Sequence, residues 1–183
     1  MTLEQGKRKV LMLLDEYSSG GEIAVDEDIS AKMNDFFDIA QKDAAIWQPI
    51  VRRAALQLDG TGSMSLPPDV SRVLRIRKNG ARTSKYEVID GTILYDEGDK
   101  SMLTIDYCAV PETITPETDD SYEFEVGDEA ANCLPFFVAA QQLIPDLVVD
   151  YGAFYNLYLQ MRGMLSRTTS TAGGSMRQSL YRR

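Results

Sequence analysis

Carboxylates are the first groups in this chain able to do chemistry. Asp15 with Glu16, Asp96 with Glu97 and Asp99, and Asp119 with Asp120 stand close enough to hold a cation or divide acid and base roles. The segment from Asp96 lacks the alternating oxygen ligands and bidentate glutamate of a calcium loop, and turns use Asp and Glu for local hydrogen bonds in any case. The structural reading outweighs the catalytic one. The 183 residues include no histidine, which removes the commonest general base and every Ser-His or Cys-His nucleophile pair. Cys108 and Cys133 do not have zinc spacing and read as small buried hydrophobes. Gly60 to Gly62 is no phosphate loop, because no Gly-Lys-Ser/Thr follows and a β segment comes next. The expectation is a non-enzyme with no catalytic residues, cofactor or metal.

Charge separates the chain into two parts. All 28 acidic residues lie before position 151, with 14 basic ones, while the last 33 residues hold five basic residues and no acid. The net charges are −14 and +5, giving the total of −9. An acidic body argues against gripping nucleic acid, since phosphate neutralisation supplies most non-specific affinity. Body and tail are expected to have different partners. No apolar run approaches the roughly 20 residues of a membrane span. The stretch Val10 to Leu14 ends at Asp15, too short for a signal peptide. The expectation is an intracellular chain that avoids membranes.

The positioning elements follow from periodicity. Leu3, Val10, Leu13, Leu14 and Tyr17 share a helical face, predicting a helix over 2–17 that Ser18 to Gly21 stops. Asp26 to Asp28 suit the start of a second helix. Its stripe runs from Ile29 through Met33, Phe36, Phe37, Ala40, Ala44 and Trp47. Pro49 kinks it and Val51, Ala54, Ala55 and Leu58 resume it, predicting 27–58. The grammar then changes. Residues 64–110 predict an antiparallel meander of about four strands, with turns at Asn79-Gly80, Asp90-Gly91 and Asp96 to Lys100. A Pro/Thr/acid connector over 111–131 leads to helices over 132–144, with Asn132 as N-cap and Pro135 in the first turn, and over 147–165. The predicted fold is mainly α with a β insert. It is one domain, 1–165, a helical bundle in the order α-α-β-α-α with a small meander, followed by an extended flexible tail over 166–183.

Three segments invite functional readings. The last helix carries Tyr151, Phe154, Tyr155 and Tyr158, which suit core packing, a subunit interface, or both. The connector acids Asp119, Asp120, Glu123 and Glu125 read as a solvated loop, with a DNA-repelling surface as the other option. The tail, SRTTSTAGGSMRQSLYRR, interleaves Met176, Leu180 and Tyr181 with Arg167, Arg177, Arg182 and Arg183. It is either a disordered solubilising end or a segment that folds onto an acidic, grooved partner.

The sequence then resembles the head-to-tail connector (adaptor, or neck) proteins of tailed bacteriophages. The residues that carry the likeness are VLMLLDEYS, LPPDVSRVLRIRKNG, YEVIDGTILYDEGDKSMLTIDYCAVPETIT, FFVAAQQLIPD and YGAFYNLYLQMRGML, which together span most of the chain. The resemblance implies a virion protein, assembled in the host cytoplasm, that forms a homo-oligomeric ring of about twelve copies under the portal. It implies that the C-terminal segment grips the portal protein and that the β region faces a tail-side neck or tail protein. Packaged DNA would pass through without specific binding, past acids such as Asp119, Asp120, Glu123 and Glu125. The family has no catalytic residues to transfer. Alternatives are a tail completion or other assembly protein, or a small metal-dependent enzyme built on the Asp96 or Asp119 cluster.

Overall fold

Thr2 starts the first helix by accepting from the Gln5 amide, while the Gln5 side chain accepts from the Thr2 amide. This reciprocal cap satisfies two amides that the helix leaves open. The computed structural model describes residues 1–14, 27–143 and 152–172. Among them are helices α1 (Leu3–Leu13), α2 (Glu27–Trp47), α3 (Asp128–Ala131), α4 (Leu134–Leu143) and α5 (Gly152–Ala172). The strands are β1 (Ile50–Gln57), β2 (Ser63–Ser65), β3 (Val70–Lys78), β4 (Ala81–Arg82), β5 (Glu87–Ile89), β6 (Thr92–Leu94) and β7 (Met102–Ala109). The chain divides into two compact units, Met1–Gln48 with Pro111–Arg183, and Pro49–Val110.

This corrects the expected fold class. Two antiparallel sheets, ordered β1-β7-β3-β4 and β2-β6-β5, make the protein mixed α/β, not a mainly helical bundle with a small meander. The strand unit begins at Pro49, not at 64. Residues 50–57, expected to resume the second helix, are β1 instead. Their exposure alternates residue by residue, and they pair with β7 from Ile50↔Ala109 to Gln57↔Met102. Pro49 supplies no amide to extend the helix, and a short apolar run fits both the helical and the strand period. Pairing with a distant strand decides between them.

All three turn signals are realised, the third with the Asp99 amide donating to the Asp96 carbonyl. Asn79 and Gly80 have φ of 50° and 83°, and Asp90 and Gly91 have 46° and 73°. Both central residues of each of these two turns are thus left-handed, as a primed hairpin turn requires. The core of the strand unit lies on the inner faces of both sheets, where Leu58, Ile93, Tyr95, Leu103, Ile105 and Tyr107 pack with Ile50, Ala54, Leu56 and Ile76.

In the helical unit, α4 is apolar nearly all round (LPFFVAAQQL) and packs against α1, α2 and α5, as a helix without a polar face must. Asn132 was expected to cap it. Instead Asn132 closes α3 and accepts from Lys9 Nζ at 2.8 Å. Helix α5 continues to Ala172, past the expected end at 165 and into the segment read as extended tail. Gly6 permits the close approach of α1 to the core. A Cβ there would lie 2.9 Å from the Phe37 ring and 3.2 Å from Phe124.

Candidate functional site

Connector 111–131 is fastened to the helices by a polar row on α2. Asn34 Nδ2 donates to the Thr115 carbonyl at 3.0 Å, and Asp38 Oδ1 accepts from the Ile114 amide at 3.0 Å. Gln41, fully buried, donates to the Tyr122 hydroxyl at 3.0 Å and accepts from the Glu125 amide at 2.9 Å. Spacings of four and three place these side chains on one helical face. Sequence reading missed the row because apolar Met33, Phe37 and Ala40 run beside it.

Of the four candidate channel acids, three have structural duties. Asp120 pairs with the mostly buried Lys7 at 2.7 Å. Asp119 accepts from the Ser121 amide at 2.8 Å, and hydrogen bonds from the Ser121 side chain and amide hold its carboxyl below the ordinary range. Glu125 accepts from the Glu112 amide at 2.7 Å. Glu123 is exposed, bridged through its backbone to Thr2.

The aromatic residues of α5 divide by depth. Tyr158 is 1% exposed, lies 5.2 Å from the Phe137 ring centre, and donates to Asp43 on α2. Burial, then the Asp43 carboxylate, push its hydroxyl well above the ordinary tyrosine range. Arg162 donates to the same carboxylate at 2.8 Å and stacks 4.8 Å above the Trp47 ring. Tyr155 is at the surface, and Phe154 is half-buried. Tyr151 lies outside the described residues, as do Met176, Arg177, Leu180, Tyr181, Arg182 and Arg183. Arg167 falls on α5, but its side chain is outside the described set.

Two helices also expose apolar side chains at a spacing of seven, which is one helical face. On α2 these are Ile39 and Ile46, the latter 74% exposed. On α5 they are Leu157 and Met164, the latter 62% exposed.

The strand unit holds a charged face that the sequence concealed. Arg72 and Arg75 are three residues apart, which puts them on opposite faces of a regular strand. Register shifts between Val70/Arg72 and Val73/Arg75 change the parity, so Arg72, Arg75 and Arg77 pair opposite Cys108, Asp106 and Thr104. Arg53 also pairs opposite Asp106, and Arg82 opposite Arg77. All five arginines therefore lie on the face away from the core, and three of them, Arg53, Arg75 and Arg77, act on the carboxylate of Asp106. Asp106 accepts from Arg53 Nε at 2.6 Å and pairs with Arg77 at 2.9 Å. The Arg53 hydrogen bond and the charges of Arg53, Arg77 and Arg75 hold its carboxyl below the ordinary range. Arg72 Nη2 donates to Cys108 Sγ at 3.7 Å.

Of the remaining acid clusters, Asp15 with Glu16 lies outside the described residues, and Asp96 to Asp99 forms a turn. Asp99 receives Lys78 at 2.7 Å, the Ser101 hydroxyl at 2.6 Å and the Tyr86 hydroxyl at 2.9 Å. Asp59 receives the Tyr95 hydroxyl at 2.5 Å and the Thr61 amide at 2.9 Å. Among the described residues no three Asp, Glu or Cys side chains group as metal ligands. No helix among them is long and apolar enough to cross a membrane. Fold and surfaces thus define a mixed α/β chain of two units that, among the described residues, has exposed apolar rows and a basic sheet face. It matches no family model and no curated relative.

Proposed function

We propose that the protein is a structural component of a tailed-phage particle: a head-tail adaptor that forms a ring beneath the portal and leaves a channel for DNA. The observation that carries this reading is the pair of exposed apolar rows, Ile39–Ile46 on α2 and Leu157–Met164 on α5. A subunit in a closed ring must present apolar surface to neighbours on two sides. The sequence likeness to phage adaptors supports the same reading, as does the interruption of a helical unit by a strand unit.

In this account the C-terminal segment grips the portal, and many weak tails on one ring add up to firm attachment. Because α5 reaches Ala172, the cut that tests the grip falls after it. Removing residues 173–183 should abolish co-sedimentation with isolated portal rings while leaving the circular dichroism of the helices unchanged. Undiminished portal binding by the shortened chain would rule out the grip. A second reading, a tail completion or other neck protein, predicts binding to the tail tube and none to the portal.

A further inference from the structure

The basic sheet face and the acidic connector are opposite in sign and lie on different units of the same chain. The strand unit, 49–110, has nine basic and eight acidic residues, a net charge of +1, so the rest of the chain carries −10. Within the strand unit the positive charge is concentrated, since Arg53, Arg72, Arg75, Arg77 and Arg82 share a face with the single carboxylate of Asp106. That face carries a net charge of +4. Connector 111–131 has eight carboxylates and no lysine or arginine. Glu117, Asp119, Glu123 and Asp128 among them are exposed.

We infer that the arginine face of the strand unit docks onto the acidic connector of a second copy of this chain. Such a contact is head-to-tail: each copy presents one arginine face and one acidic face, so neighbours can continue until a ring closes. Arginine suits this work because its planar fork bonds carboxylates in pairs and is less strongly hydrated than an ammonium. Two exposed apolar side chains on the same sheet face, Val51 and Met102, add contact area between the charges. Nucleic acid is the other polyanion that could meet five guanidinium groups. The −9 chain repels it at long range, whereas the acidic connector is present in every copy. This inference rests on the ring reading in one respect, as it names the charged part of the contact between neighbours.

Cysteine pairing tests it in the full-length chain. Arg82→Cys and Glu123→Cys proteins, mixed at low salt under mild oxidation, should give a covalent dimer, and the doubly substituted chain should give a ladder of oligomers. The native thiols of Cys108 and Cys133 are buried and do not compete. Added salt at 0.5 M, or the further substitutions Arg72→Glu and Arg75→Glu, should lower the yield about tenfold or more, because contacts of this kind are steered and held by charge. No cross-link, or only a link within one chain, overturns the inference. So does loss of duplex DNA retention in the Arg72→Glu, Arg75→Glu chain without loss of cross-linking. Portal binding without the cross-link would overturn this contact alone, and a ladder without portal binding would overturn the adaptor reading alone.

Discussion

Arg162 near the end of the described chain donates to Asp43 of α2 at 2.8 Å, across 119 positions of sequence. The same carboxylate accepts from the buried Tyr158 hydroxyl. One acid therefore joins the C-terminal helix to the N-terminal half of the unit, while the strand unit occupies the sequence between. Asp43→Ala should destabilise the protein by about 1.5–3 kcal/mol, because a hydroxyl and a guanidinium lose a charged partner in a partly enclosed site. Urea denaturation followed by circular dichroism measures it. A midpoint equal to wild type would remove Asp43 from its role.

Gly6→Ala should cost about 1–3 kcal/mol by overpacking. The added methyl would press on the Phe37 ring from 2.9 Å, and both Phe37 and Phe124 are buried. The measurement is the thermal midpoint, which should fall although alanine is the better helix former.

Asp106→Asn leaves five arginines on one face without their carboxylate. Stability should fall, and added sodium chloride should restore part of it, since guanidinium repulsion at a surface is screened. A loss that salt leaves unchanged would mean that packing, not charge, dominates there.

The acid limb of stability should show in the strand unit. Hydrogen bonds from Tyr95 and Thr61 lower the Asp59 carboxyl to about 2, and Lys78, Ser101 and Tyr86 hold Asp99 below the ordinary range. A depressed carboxyl stabilises the fold above its unfolded pKa, near about 4, and that contribution is lost as pH falls through the folded value. The Tyr95 NMR signal should therefore hold steady through about pH 4 and shift only as pH approaches about 2, while the urea midpoint already falls as pH drops below about 4.

Burial, with a smaller push from Glu129, raises the Cys133 thiol to about 11. The fold favours the neutral thiol, so this contribution is present at neutral pH and is lost as pH rises past the ordinary thiol value. A thiolate-trapping reagent at pH near 8 should leave Cys133 unlabelled until the chain is denatured.

The parts of the fold legible in sequence were those decided locally. Asn79-Gly80 and Asp90-Gly91 announce their turns because few other pairs accept two left-handed residues. Helix α1 is announced by its apolar face. Strand β1 was hidden because Val51, Ala54, Ala55 and Leu58 satisfy a helical period, and its partner β7 lies far along the chain. The arginine face was hidden because irregularities in β3, invisible in residue order, bring Arg72 level with Arg75 and Arg77. Asn34, Asp38 and Gln41 hold the connector, a role that only tertiary contact reveals. The connector acids illustrate the converse: their charge is plain in sequence, but the ties of Asp120 to Lys7 and of Asp119 to Ser121 are not.

The most direct test of the adaptor account is electron microscopy of the full-length chain mixed with isolated portal rings. The account predicts a closed ring of this protein stacked coaxially on one end of the portal, with an open central channel. Portal particles without added density, while the same protein decorates tail tubes, would contradict it.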